Sequence, residues 1–179
     1  MEIHGSRRDD VHLQVFRRYE IEKGDQKEYS FKVEVEQRDG NLYIKEQEER
    51  GNTGWFNSFH LKEKAYRITL EVPYVVALAL QGDDDHYRIS NIDLDISIEA
   101  DDTYIDLTGT EGERFNFDID DGTIAMEKGR GLLKLDMDDG EFSVDQGAFQ
   151  EIHAHADDGR LSITSALVRD GYYEFEMDD

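Results

Sequence analysis

Apolar and polar residues alternate with a period of two through the second half of the chain, and a pair of aspartates interrupts the alternation at regular intervals. A constant period indicates a repeat architecture, in which each repeat stacks on its neighbours. The first aspartates of successive pairs are 18, 19, 18, 19 and 21 residues apart, at Asp83, Asp101, Asp120, Asp138, Asp157 and Asp178.

The apolar residues keep a constant position relative to the aspartates. One, three and five residues before the first aspartate, and four and six residues after it, nearly every repeat has an apolar side chain. Each repeat therefore contains two strands, one on either side of the aspartates, and each strand has one buried face. In the repeat around Asp120 the apolar residues are Phe115, Phe117, Ile119, Ile124 and Met126.

Two arrangements of such strands fit the pattern: an antiparallel β-meander of consecutive strands, or a β-solenoid in which equivalent strands stack in parallel. The constant register favours the solenoid, because equivalent apolar residues then form core columns such as Phe115, Leu133, Ile152 and Tyr173. We therefore predict an all-β, right-handed parallel β-solenoid with two-strand coils of 18–19 residues, the handedness following from the crossover rule. Glycine after three of the aspartate pairs predicts tight turns with positive φ.

The N-terminal third predicts a cap of shorter β elements. Residues 11–21 and 29–37 flank a polar segment and predict a β-hairpin, and a second turn follows at residues 38–41. The segment 50–59 predicts a loop anchored by Trp55. We predict a single domain in which residues 1–64 cap one end of a solenoid that spans residues 65–179. An uncapped end exposes unpaired backbone groups, so the last coil predicts end-to-end homo-oligomers.

The net charge limits the kinds of partner that the chain is expected to bind. The formal net charge is −23, from 43 acidic and 20 basic residues. Nucleic-acid binding relies on clustered Lys and Arg, so this composition predicts no nucleic-acid partner. Such a surface suits divalent cations, a salt-rich environment or a cationic partner. The apolar run at residues 72–80 is too short to cross a bilayer, which predicts no direct membrane insertion.

The aspartate pairs are the first candidate metal ligands. Stacked coils lie about 4.8 Å apart, so the pairs predict two columns of carboxylates along the solenoid. Oxygen ligands at that spacing suit calcium as a bound cofactor. The alternative is that the aspartates only form turns and point into solvent. The predicted calcium ligands are Asp101, Asp102, Asp120, Asp121, Asp138, Asp139, Asp157 and Asp158.

A second candidate site lies in the segment 151–155. Alternation directs Ile152 and Ala154 inward, so His153 and His155 point outward, beside acidic residues of neighbouring coils. Imidazole flanked by carboxylates is a ligand set for zinc. The alternative is a pair of exposed histidines whose titration is tuned by acidic neighbours. The predicted zinc ligands are His153, His155, Asp136 and Glu176.

Catalysis has no support in the sequence. It contains no serine nucleophile elbow, no zinc-protease motif, no P-loop and no dinucleotide-binding glycine motif. Carboxylates are so frequent that many glycosidase-like pairs are expected by chance, so no single pair is evidence for catalysis. We therefore predict a non-catalytic protein, with a polysaccharide-acting enzyme as the weaker alternative.

The strand at residues 68–73, followed by coils with Asp-Gly turns such as DDGTIAM, DDGEFSV and DDGRLSI, resembles the adhesin-like β-solenoid family of bacteria and archaea. The resemblance covers roughly residues 28–179. It implies a single-stranded β-helix, largely of unknown function, in secreted or envelope-attached proteins, and it implies no catalytic residues. The doubled aspartates depart from the single Asp or Asn expected before glycine in that family.

The residues and the resemblance together predict a cation-stabilised interaction module that is extracellular or in the cell envelope, with the cytoplasm as an open alternative. Its partner would be a protein or a polysaccharide. The alternatives are an acidic scaffold adapted to high salt and an envelope-stress sensor that binds cationic peptides. The predicted outward ladders that could contact a partner are Tyr104, Thr123, Glu141 and Arg160, and Asp106, Ala125, Ser143 and Ser162.

Overall fold

The computed structural model describes residues 1–21, 31–38, 41–48, 61–83 and 85–178. All regular secondary structure in these ranges is β. The predicted Trp55 loop and the turn after residue 21 lie outside them. The strands are β1 (Glu2–Ser6), β2 (His12–Ile21), β3 (Phe31–Arg38), β4 (Asn41–Glu48), β5 (Leu61–Pro73), β6 (Leu78–Gly82), β7 (Asp85–Ser90), β8 (Ile96–Thr108), β9 (Arg114–Met126), β10 (Gly129–Ser165) and β11 (Tyr172–Met177).

The strands of the repeat region stack in parallel, one coil on the next. Phe115 of β9 pairs with Ile96 of β8 on one side and with Leu133 of β10 on the other, so each step along the sheet is one repeat. β11 continues the stack in parallel with β10. The predicted β-solenoid is therefore confirmed, with about five turns, and the alternative antiparallel meander is wrong for this region.

The core lies between the two strands of each coil, as the register predicts. Phe115, Phe117, Ile119, Ile124 and Met126 of β9 are all buried, and their equivalents in β8 and most of β10 are buried with them. The last coil differs: Phe175 and Met177 occupy core positions of the register but are 52% and 50% exposed. β11 is the last strand in the sheet order, so within the described part of the chain no coil packs on the outer side of these two side chains.

The aspartate pairs lie at a corner within continuous strands. β8 and β9 each run through their pair without a break, and Asp121 stays in register with Asp102 and Asp139. The prediction of tight positive-φ turns here is wrong in two of the three glycine-containing corners, because only Gly140 has a positive φ, of 139°. Since equivalent residues are still hydrogen-bonded between coils, the chain bends there instead of reversing.

Residues with a left-handed backbone conformation instead follow the second strand of a coil. Asn91, Gly109 and Gln146 have φ of 57°, 62° and 60°. Each opens a short third segment that also stacks: the Glu111 N–H donates to the Ile92 carbonyl, and Ala166 to that of Gly147. This segment adds buried side chains that the alternation did not predict, namely Ile92, Thr110 and Phe149.

The N-terminal strand joins the solenoid sheet. β1 lies between β5 and β7 and is parallel to both, with Ile3 buried. The predicted pairing of residues 11–21 with residues 29–37 is wrong: β2 neighbours β5 in the sheet, and β3 forms its antiparallel hairpin with β4. The chain divides into two compact units, Met1–Phe16 with Arg67–Asp179, and Arg17–Tyr66.

Candidate functional site

One corner of the solenoid carries three adjacent columns of exposed carboxylates. Glu99, Asp118 and Asp136 are in register on the outer face of the first strands, and Asp102, Asp121 and Asp139 are in register just past the bend. The first aspartates of the pairs lie between these columns. We call this surface the acidic corner; its residues are Glu99, Asp101, Asp102, Asp118, Asp120, Asp121, Asp136, Asp138, Asp139, Asp157 and Asp158, all exposed.

The sheet geometry forces these charges together. Strands of a parallel sheet lie about 4.8 Å apart, so each carboxylate has like charges at that distance along its column. The effect is visible at Asp121, whose pKa is raised by loss of hydration and then by repulsion from Asp139 and Asp102. The acidic corner is therefore a surface that gains from a bound cation or a cationic group.

His153 lies beside this corner with both ring nitrogens close to carboxylates. Its Nε2 is 2.6 Å from Oε1 of Glu151, and its Nδ1 is 3.0 Å from Oε2 of Glu174 on β11. Hydrogen bonds to Glu151 and then to Glu174 raise the pKa of His153. When its Nδ1 carries a proton, this imidazole donates to Glu174 and links β10 to β11.

His155 lies at the edge of the acidic corner and has different surroundings. Its Nδ1 is 3.0 Å from Oδ1 of Asp136 on the preceding coil. Its Nε2 faces two carboxylates, with Oδ1 of Asp157 at 3.4 Å and Oδ2 of Asp178 at 3.8 Å. The hydrogen bond to Asp136, above all, raises the pKa of His155. One ligand atom from each of His155, Asp157 and Asp178 fits within a 4.8 Å span.

The structure does not bring the four predicted zinc ligands together in one site. It brings His155 and Asp136 together, places His153 in a separate carboxylate pair, and puts Glu176 opposite His155 in the ladder. Asp178 was absent from the predicted sets, although its place in the column of first aspartates marks it as a neighbour of Asp157. Zinc and calcium binding remain predictions.

The predicted outward ladders form a second, mixed surface. Tyr104, Thr123 and Glu141 are in register, and Tyr104 is 43% exposed with its ring 4.7 Å from that of His86. This face combines aromatic, hydroxyl and charged groups without a concentration of one sign.

An open groove of about 560 Å³ lies near the third segments of the coils. Its lining includes Glu113, Arg114, Arg130 and Glu151, and Arg130 is held by Glu111 through an ion pair of 3.5 Å. The carboxyl group with a raised pKa, Asp121, lies at the acidic corner and does not line this groove. The groove is therefore lined by both acidic and basic side chains.

Comparisons with protein-family models, curated proteins and solved structures return no match for this chain. The resemblance to the adhesin-like family stays a prediction from the sequence. Among the described residues, no helix is both long and apolar enough to span a membrane.

Proposed function

We propose that this chain is a non-catalytic interaction module of the cell surface or envelope, and that its acidic corner binds an extended cationic partner such as a Lys-rich or Arg-rich peptide segment. The observation that carries the proposal is the unbroken register of carboxylate columns through β8, β9 and β10. The location at the surface or envelope rests on the sequence resemblance alone.

The geometry supports an extended partner because the columns repeat. Alternate side chains of an extended peptide recur about every 6.6 Å, whereas the carboxylates of a column lie about 4.8 Å apart, so the long, flexible stems of Lys or Arg would have to bridge the difference. Each bound ammonium or guanidinium group would relieve the repulsion that raises the pKa of Asp121. Electrostatic attraction of this kind increases association rates and falls with ionic strength.

The test is binding of a fluorescent Lys-rich peptide, measured by anisotropy at low and physiological salt. The triple variant Asp102→Asn, Asp121→Asn, Asp139→Asn removes three in-register carboxylates of one column of the corner. A matched triple variant, Glu113→Gln, Glu127→Gln, Asp145→Asn, removes the same formal charge outside the acidic corner and the outward ladders. We expect about tenfold weaker binding for the first variant and a much smaller loss for the second, because screening limits distant charges.

Equal losses in the two triple variants would mean that only net charge attracts the peptide, which would overturn the proposed site. No peptide binding at either salt concentration, together with a strong rise of stability in monovalent salt, would favour the acidic scaffold instead.

A further inference from the structure

His153 and His155 occupy successive outward positions of β10, yet their ring nitrogens are used differently. Both nitrogens of His153 lie at hydrogen-bond distance from carboxylates, 2.6 and 3.0 Å. At His155 only Nδ1 does so, at 3.0 Å from Asp136. Its Nε2 lies 3.4 and 3.8 Å from Asp157 and Asp178, beyond the usual N–H···O range of about 2.7–3.2 Å.

These longer separations fit ligands that share a metal ion. Zinc binds imidazole nitrogen and carboxylate oxygen at about 2.0–2.2 Å in a tetrahedral arrangement, which places two ligand atoms about 3.3–3.5 Å from each other. The 3.4 Å separation of Nε2 from Asp157 falls in this range, and the 3.8 Å separation from Asp178 lies slightly above it. Small rotations of the exposed side chains would close that difference. The distance from Nε2 to the nearest carboxylates therefore distinguishes His155 from His153.

The contact on the other side of the ring completes the arrangement. When Nδ1–H donates to Asp136, the lone pair resides on Nε2 and points toward Asp157 and Asp178. A carboxylate that accepts the second N–H of a ligating histidine fixes its tautomer and raises its basicity as a ligand. Asp136 lies at hydrogen-bond distance from Nδ1 of His155 and can therefore orient the imidazole in this way.

We propose that His155, Asp157 and Asp178 form a binding site for a divalent transition metal ion, zinc above all, with Asp136 as the residue that orients the imidazole. The ligand set of one nitrogen and two oxygens suits zinc better than calcium, which takes six to eight oxygen ligands. Three protein ligands leave the fourth position of the ion to water or to a group of a partner. The site shares Asp136 and Asp157 with the acidic corner, but it does not require the proposed cationic partner.

The bound ion would fasten the last strand to the solenoid. Asp178 directly follows β11, and its N–H donates to the carbonyl of Ala156 on β10. Phe175 and Met177 of β11 are half exposed, so less apolar burial holds this strand than holds β9. An ion bound by both Asp178 and His155 would therefore add a constraint to a strand that buries little apolar surface, and binding to the native state raises stability by mass action.

The experiment uses the full chain without a histidine tag, treated with EDTA and dialysed into a mildly alkaline buffer, where protons compete less for imidazole. Isothermal titration with zinc, repeated with calcium, measures affinity and stoichiometry. Hydrogen exchange with and without zinc reports protection of β11. We expect one zinc site, weaker binding of calcium at that site, and slower exchange in β11 when zinc is present.

Four single variants locate the site. His155→Gln and Asp178→Asn should each weaken zinc binding at least tenfold, and Asp136→Asn should weaken it by about 10–100-fold, as losses of such outer residues do. His153→Gln is the matched control, since it removes an imidazole two residues away, and it should leave the affinity within a factor of about two. All four positions are partly or fully exposed, and circular dichroism of the metal-free variants verifies that they fold.

Zinc affinity unchanged in His155→Gln, or lost equally in His153→Gln, would overturn the assignment. So would loss of zinc binding in the triple variant Asp102→Asn, Asp121→Asn, Asp139→Asn with His155→Gln unaffected, because the ion would then lie among the aspartate columns. Failure of the peptide-binding test leaves these outcomes unchanged, so the two proposals can fail separately.

Discussion

Aspartates that look equivalent in the sequence have different surroundings in the solenoid. Asp121 lies in the middle of its column, with Asp102 on one side and Asp139 on the other, and its pKa is raised. A raised pKa means that the folded chain holds the proton more tightly than the unfolded chain, so the ionised group opposes folding at neutral pH. The repeat thus places a local destabilising charge inside a stable fold.

Replacing Asp121 by Asn should therefore raise the melting temperature at neutral pH and low salt by a few degrees. The gain should shrink as the pH falls through the raised pKa of Asp121 and disappear below the ordinary value of 3.8, where the carboxyl group is protonated in both states. Added salt should also reduce the gain, because it screens the column. Thermal melts across pH and ionic strength measure these effects.

The control is Glu127→Gln, which removes the same charge from the loop after β9. A stabilisation as large as that of Asp121→Asn would show that the total negative charge matters and that the column does not.

At the scale of the element, the corner has different steric requirements in successive coils. An added Cβ at Gly140, where φ is 139°, would lie 2.0 Å from the carbonyl oxygen of Gly122. At Gly159, one coil later, the nearest atoms are Ala156 Cβ at 3.2 Å and the Gly140 oxygen at 3.6 Å. Thr103 fills the same position earlier in the stack, where its hydroxyl donates to the Asp85 carbonyl. Glycine is therefore required at Gly140 both by its positive φ and by the close approach of the neighbouring coil.

Gly140→Ala should lower the free energy of unfolding by about 3 kcal/mol or more, since it combines a strained φ with overlap against the backbone. Gly159→Ala should stay within about 1 kcal/mol of the wild type, because alanine there also reduces the entropy of the unfolded chain. Urea unfolding of the two variants measures the difference. Similar losses at both positions would indicate that the whole corner, and not one close contact, requires glycine.

At the scale of the whole molecule, the solenoid presents an apolar strand at one end of its sheet while the chain carries a net charge of −23. The exposed Phe175 and Met177 continue the buried columns that end in Ala154 and Ala156. A second copy stacked on β11 would extend those columns and pair its free edge. Repulsion between two acidic chains opposes the contact, so salt should favour it.

We therefore expect end-to-end association of the chain at high concentration and high salt, with less of it at low salt. Sedimentation velocity over a range of concentrations measures this. Phe175→Lys should return the protein to the monomer, whereas Arg160→Ala, on the outward face, should not. A monomer under every condition would contradict the prediction.

Much of the solenoid could be predicted from the sequence because its contacts repeat. When equivalent residues stack every 18 or 19 positions, a buried side chain such as Phe117 is identified by its register alone, and the outer column of Asp102, Asp121 and Asp139 by the same count. The constant repeat length thus favours parallel stacking of the coils, and the alternation within each strand indicates which face is buried. The register also predicts that Phe175 and Met177 of β11 are buried, and this prediction is wrong, because among the described residues no coil packs against the outer side of β11.

What the sequence by itself determined is the repeat, its strands and the positions of the carboxylate columns, because each follows from spacing along the chain. Only the tertiary structure decided the contacts that no period encodes. β1 lies between β5 and β7 although Glu2 pairs with Thr69 and Arg88, which are far from it in the chain. The buried Phe149 belongs to a third segment that the alternation did not predict. The period places Asp178 next to Asp157, but its 3.8 Å distance from Nε2 of His155 depends on how the last coil closes in space.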